Sequence, residues 1–436
     1  MKNKKIIPLG FLSAILSLSF ILSSTLFAEE ATAKKKSTET SRLEALSKFT
    51  KVIGIVQKYD VDQITIEELI DKALKGLMEN LDAHSNYLTQ KDYKRLQVQT
   101  NGEFGGLGIT VGMKGGALTV ISPIDGTPAD KAGLKSGDII LKIDNKSTLG
   151  MTIDEAVSLM RGKVGNPIDL TIVRKGESKP LSIHIVRDII KIESVHTKMI
   201  GKNILYIRVS SFDKKVVNGV AKAIKKKKFV TKGIILDLRN NPGGLLDQAV
   251  GLVDLFVDSG VIVSQKGRRK IETKEYSAHT SNTITDVPVV VLINGGSASA
   301  SEIVSGALQD HKRAILIGEK SFGKGSVQVV LSITKTEAIK LTIARYYLPS
   351  GRTIQALGVV PDIEVLPGEL KTFKNEFAIK EADLKKHLKK ELEKIDGKKS
   401  QTKEDKKNII TPKMLEKDLQ MKEGVNIIKA LIITKG

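Results

Sequence analysis

A chain of 436 residues is long enough for two or three domains of ~150 residues each. Aromatic residues make up 4% and Trp is absent, so any core must be built from Ile, Leu and Val. The absence of cysteine excludes disulfides, thiol catalysis and lipid attachment at a cysteine, and the six histidines show no metal-ligand spacing. A formal charge of +21 permits an anionic partner, but the lysines are spread among acids without an aromatic-rich basic module, so nucleic acid is not expected. The densest run, Lys225–Lys228, reads as a solvated helix end.

At the N-terminus, Lys2, Lys4 and Lys5 precede an apolar run from Ile6 to Phe27 that ends at Ala28, before Glu29-Glu30. This is the pattern of an export signal over residues 1–28, and an uncleaved membrane anchor is the alternative, since the run is long enough to span a bilayer. Either way the remainder is expected outside the cytoplasmic membrane, in the periplasm or an equivalent compartment. Residues 29–41 read as a linker. Across 42–98, apolar residues fall at helical spacing (Leu43, Leu46, Phe49, Val52, then Leu69, Ile70, Ala73, Leu74), which predicts packed helices. From 99 to 187 the chain is rich in glycine and short β-like stretches, with one amphipathic helix at Ile153–Arg161. Over 188–366 strand-like runs (Ile204–Val209, Ile234–Leu238, Val287–Ile293, Ala314–Ile317) alternate with helix-like ones (Lys214–Lys227, Leu246–Val257, Ser299–Asp310), predicting a mixed α/β layer structure. Residues 367–436 are Lys-rich, with a charged helix expected at Glu381–Ile395, disorder at 397–408 and a final helix over Met414–Ile433.

Residues 99–187 carry Gly105-Gly106-Leu107-Gly108-Ile109 and, later, Ala132-Gly133-Leu134-Lys135-Ser136-Gly137-Asp138-Ile139-Ile140. Together these resemble a PDZ domain. Successive N–H groups of a glycine-rich turn at Gly106, Leu107, Gly108 and Ile109 suit a terminal carboxylate, while a peptide tail pairs along the open strand edge. Apolar residues lining such a groove favour tails ending in small or apolar side chains.

Three further segments carry chemistry. Asn294-Gly295-Gly296-Ser297-Ala298-Ser299-Ala300-Ser301-Glu302 follows a buried-looking strand and opens a helix, whose N-terminal N–H groups favour developing negative charge. Ser299 with Glu302 also has the spacing of a helix capping box, and Ser297 and Ser301 compete with Ser299 as nucleophile on local sequence. No histidine is well placed as the base, because His311 lies a helix length away. Lys324, between Gly323 and Gly325, is the better base provided it is neutral, which requires its pKa to fall from about 10.4 toward ~7–8. The run Gly318-x4-Gly323-Lys324 approaches a phosphate-binding loop, but Gly325 stands where Ser/Thr is needed and a strand-like run follows. Finally, Asp237-Leu238-Arg239-Asn240-Asn241-Pro242-Gly243-Gly244 is a strand running into a glycine turn that can aim an N–H at an oxyanion, with Asp237 and Arg239 as an ion pair bracing it.

These segments resemble the carboxyl-terminal processing peptidases, or tail-specific proteases, from about Phe49 to Leu366. The runs Leu-Arg-Asn-Asn-Pro-Gly-Gly, Ser-Ala-Ser-Glu-Ile and Gly-Lys-Gly-Ser-Val-Gln carry the resemblance. It implies a crotonase-like mixed α/β peptidase core with an inserted PDZ domain and helical N- and C-terminal segments. It places the nucleophile on Ser299, the base on Lys324 and a helper glutamine on Gln328. It implies oxyanion donors at the Ala300 N–H and one of Gly243 and Gly244, and a residue coupling tail binding to the active site at Arg161. The expected activity is serine endopeptidase cleavage near the C-terminal tail of protein substrates, without metal or cofactor. The alternative is a catalytically silent PDZ scaffold that binds tails. A homo-oligomer and an activating adaptor are open questions, as is any role of the Lys-rich C-terminus.

Overall fold

The computed structural model describes residues 41–124, 126–370 and 409–435. The expectations for residues 1–28, for most of the linker, for the charged helix at Glu381–Ile395 and for disorder at 397–408 lie outside the described residues. The chain divides into two compact units, the first ending at Tyr87 and the second starting at Leu88.

The first unit contains helix α1 over residues 41–59 and helix α2, Ile66–Glu79. Helix α2 starts at a complete capping box: Glu68 N–H donates to Thr65 Oγ1 (3.2 Å) and Thr65 N–H donates to Glu68 Oε2 (3.1 Å). The expectation that the apolar stripe of α1 packs into a core is corrected here. Leu43, Leu46, Phe49 and Val52 are all exposed, and of this helix only Ile53 is buried. The period of the stripe gave the right conformation, but most of its apolar face is exposed.

In the second unit, helix α3 (Gln90–Asn101) leads into a two-stranded ribbon of Glu103–Gly106 with Asp188–Lys191. The ribbon brackets a small antiparallel sheet in the order Ile109–Lys114, Ala117–Pro123, Ile139–Ile143, Pro167–Val173, Leu181–Val186. Helices α4 (Pro128–Lys131) and α5 (Ile153–Met160) pack on it, and Leu107, Leu118, Leu134, Ile140, Ala156, Met160 and Ile172 form its core. Alternation explains this: Ile168, Leu170 and Ile172 point inward, while Pro167, Asp169 and Val173 between and beside them face water. Burial pushes the Asp138 carboxyl up, but its ion pair with Arg174 (2.7 Å), which braces the Ser-Gly-Asp turn, outweighs it and holds the carboxyl below its usual range.

The larger part is a seven-stranded sheet in the order Ile363–Glu364, Ala314–Gly318, Val289–Ile293, Gly233–Asp237, Ile204–Val209, Val195–Ile200, Ile409–Ile410. Its central strands are parallel and buried on both faces, as their near-continuous apolar runs require. Leu205, Ile207, Leu236, Val291 and Leu316 face helices α6 (Val216–Lys227), α7 (Leu246–Asp254) and α8 (Ala300–Asp310). Their neighbours Tyr206, Ile235, Val290, Leu292 and Ile317 face the opposite way, onto the C-terminal helices α9 (Pro412–Glu416) and α10 (Leu419–Lys435). The expected final helix is therefore two helices, and the segment after residue 408 completes the second layer of the core. Lys225, Lys226 and Lys227 fill the last turn of α6 and are exposed, as a solvated end next to the negative pole of the helix dipole should be.

Candidate active site

The parallel strands end at one edge, and two of their C-terminal loops interlock there. The turn after Gly233–Asp237 is fixed by Asn241, whose buried side chain donates to the Val209 carbonyl (2.8 Å) and accepts from Gly243 N–H (2.9 Å). The loop after Val289–Ile293 is bound to that turn. Ala298 N–H donates to the Asn241 carbonyl at 3.0 Å, and Asn240 and Asn294 exchange two hydrogen bonds of 2.8 and 2.9 Å.

This interlock separates the three serines. Ser297 is fully buried and its hydroxyl donates to the Leu238 carbonyl (2.8 Å); Ser301 is fully buried and donates to the Asn241 carbonyl (2.9 Å). Ser299 lies between them, half-buried, with φ 54° and ψ −111°. A serine at such angles costs on the order of 1–3 kcal/mol and persists only where the surroundings enforce it. The Glu302 side chain reaches back to accept from the Ser299 N–H (2.8 Å), as the capping spacing suggests, while the Glu302 N–H donates to the Ser299 carbonyl (2.9 Å). Gly243 explains how the two loops approach so closely: at φ 98°, a Cβ there would lie 2.9 Å from both Ser299 Cβ and Ala300 N. Among the described residues, the N–H groups of Ala300 and Gly244 meet no acceptor, whereas the Gly243 N–H is committed to Asn241.

The Glu302 carboxylate, fully buried, joins the serine loop to the lysine loop. Its Oε2 accepts from both Ser299 N–H and Lys324 N–H at 2.8 Å, so those two nitrogens lie within twice that distance of each other. Its Oε1 accepts from Gly323 N–H (2.7 Å) and Ser321 Oγ (2.6 Å). Lys324 is half-buried, and its flanking glycines let the loop pack on residues 355–358: a Cβ on Gly325 would lie 2.6 Å from Gln355 N. Strand Ser326–Ser332 follows directly where a phosphate-binding loop would lead into a helix. On that strand, the Gln328 amide donates to Ser326 Oγ (2.7 Å) and to Thr342 Oγ1 (3.4 Å). His311 caps the far end of α8 and its Nε2 lies 2.7 Å from the Val261 carbonyl oxygen.

Beneath the turn, Arg239 pairs with Asp237 (2.7 Å), as the sequence suggested, and also with Asp418 (2.8 Å) at the start of α10. Burial works against the guanidinium charge, but the bonds to Asp237 and Asp418 outweigh it and raise the Arg239 pKa. Tyr206, whose hydroxyl donates to Asp237 Oδ2 (2.9 Å), is pushed up by burial and then by that carboxylate. The structural roles of Glu302, Asn241 and Asp418 were missed in sequence. Glu302 was visible only as a capping residue, and nothing local marks Asp418 as a partner of Arg239.

In the smaller sheet, Leu107 is buried in the core, while Gly108 turns at φ 78° against Thr127, whose hydroxyl donates to its carbonyl (3.1 Å). No acceptor among the described residues meets the Leu107 and Gly108 N–H groups. Gly106 pairs with Asp188, and Ile109 begins a strand that, among the described residues, is partnered by Ala117–Pro123 on one side only. Arg161 caps α5 with its guanidinium over the Phe104 ring, 4.4 Å from the centroid. Among the described residues there is no group of three acidic, histidine or cysteine side chains able to hold a metal ion.

Residues 203–365 match the model of peptidase family S41, and residues 119–174 match that of the PDZ domain. A carboxy-terminal-processing protease of Bartonella bacilliformis is 42% identical over 402 residues, covering 90% of each chain. The carboxy-terminal processing protease CtpA of Bacillus subtilis is 37% identical over 335 residues, covering 76% of this chain and 70% of the relative. Among solved structures, the photosystem II D1 C-terminal processing protease is 27% identical, with a TM-score of 0.42, over 73% of this chain and 92% of that one. With two relatives matched across most of their length, and its peptidase and PDZ segments each matched by a family model, the chain is a member of the carboxy-terminal processing proteases, serine-type peptidases of family S41 that carry a PDZ domain.

Proposed function

We propose that this chain is an exported endopeptidase that catches the C-terminal tail of a protein substrate in its PDZ groove and cleaves near it with a Ser299/Lys324 dyad. The observation that carries the reading is the Glu302 carboxylate, which holds the Ser299 and Lys324 backbones from one oxygen. Export rests on the residue 1–28 pattern alone. Tail recognition is supported by the open strand edge at Ile109–Lys114, the unengaged N–H groups before it, and the names of the relatives.

In this mechanism the neutral Lys324 amine takes the Ser299 hydroxyl proton as the oxygen attacks the substrate carbonyl carbon. The oxyanion is met by the Ala300 N–H at the start of α8 and by a glycine N–H of the Gly243–Gly244 turn, of which that of Gly244 is open in this conformation. The Lys324 ammonium returns the proton to the leaving amine, and water then hydrolyses the acyl-enzyme. Gln328 spends its amide N–H groups on Ser326 and Thr342, so what it offers Lys324 is its carbonyl oxygen, an acceptor that orients the amine. Lys324→Arg tests the base: it keeps the charge but cannot lose a proton, so turnover should vanish, and appreciable activity would remove Lys324 from the role.

A further inference from the structure

A cavity of about 770 Å³ opens between α3 and α5, walled in part by Gly105, one residue before the Gly106–Ile109 turn. Its apolar lining is Val98, Phe104, Val157 and Ile192. Its rim is strongly cationic: Lys91, Lys94 and Arg95 from α3 and Arg161 from the end of α5 stand against a single carboxylate, Asp154. Lys91 and Arg95 reach Asp154 at 3.3 and 3.5 Å, but all three side chains are more than half exposed, so these pairs are weak and easily exchanged. Lys94 is exposed and has no ion-pair partner among the described residues. Arg161 is held in place on the Phe104 ring.

A tail that adds antiparallel to the open edge of Ile109–Lys114 brings its last residues to the 106–109 turn, which Gly105 in the cavity wall directly precedes. There the terminal carboxylate meets backbone N–H groups, leaving the rim cations for a second negative charge. Resting on the tail-capture reading above, we infer that α3 and Arg161 form an anionic subsite, so that the preferred tails carry an acidic side chain among their last few residues. Three of its four cations come from α3, which precedes the PDZ residues in sequence, so the preference belongs to the assembled unit.

The test is fluorescence anisotropy on the full-length Ser299→Ala protein, with ten-residue peptides that differ only in Glu or Gln at the third position from the end. The Glu tail should bind about fivefold tighter than the Gln tail, as expected for one or two partly exposed ion pairs. In Lys94→Gln/Arg95→Gln the difference should shrink below twofold while Gln-tail binding is kept. In Lys94→Glu it should vanish or invert. Equal affinity for the two tails in the parent, or a Glu preference that survives both variants, overturns the subsite. Failure of both free-acid tails to bind, or equal binding of their amidated forms, overturns tail capture itself and the subsite with it.

Discussion

Glu302 is the residue on which the two halves of the proposed dyad depend. It is fully buried and meets four donors within 2.6–2.8 Å, which suits an acceptor-only carboxylate. Glu302→Gln puts an NH2 group against those donors. It should cost about 2–4 kcal/mol in denaturant unfolding and lower turnover at least a hundredfold, because the Lys324 loop loses its anchor. Gly243→Ala tests the neighbouring contact: its methyl would sit 2.9 Å from Ser299 Cβ, so activity should collapse even where folding survives by thermal melt. The motif runs single out Ser299, Lys324 and Gln328 as candidates through their resemblance to the family, whereas local sequence alone leaves Ser297 and Ser301 as rivals. Glu302 was half legible, since its capping spacing is local, but its bonds to residues 321–324 depend on the loop after Ala314–Gly318 returning to the same point.

At the scale of elements, the sheet and its first layer of helices follow from apolar runs alternating with amphipathic ones, and their boundaries shift by at most three residues, the largest shift being the end of α7 at Asp254. The second layer was not legible. Its contacts join residues 409–435 to strands more than a hundred residues earlier, and a Lys-rich composition hides that Met421, Val425 and Ile428 lie on one buried face. Ile428→Ala should therefore cost about 2–4 kcal/mol, as for a core residue, whereas an exposed end of the chain would lose almost nothing. Asp418 ties this layer to the turn below Ser299. Burial raises its pKa, but the Arg239 bond prevails and the net shift is downward, so its stabilising effect is present above the unfolded value and lost as pH falls through the lower folded one. Asp418→Asn should reduce stability by about 1–2 kcal/mol at neutral pH, and the gap to the parent should close below about pH 4 in denaturant titrations. A gap that stays constant down to pH 2 would remove the charge from the explanation.

At the scale of the whole molecule, one polypeptide carries a PDZ domain and a family S41 peptidase segment. The two modules were legible as texture, glycine-rich short strands giving way to alternating strands and helices, and as motif runs within each. The expectation of a packed apolar stripe on α1 failed because helical period reports conformation, whereas burial depends on what else is there. Amidating a substrate's C-terminus should weaken cleavage at least tenfold, through KM more than kcat, if the groove reads the carboxylate. Ser299-dependent cleavage near a tail is tested most directly by intact-mass spectrometry of a model protein with an unstructured, apolar-ended tail, incubated with the parent or with Ser299→Ala. Discrete fragments cut near the tail should appear with the parent and none with the variant. Fragments appearing equally with both would contradict the dependence on Ser299.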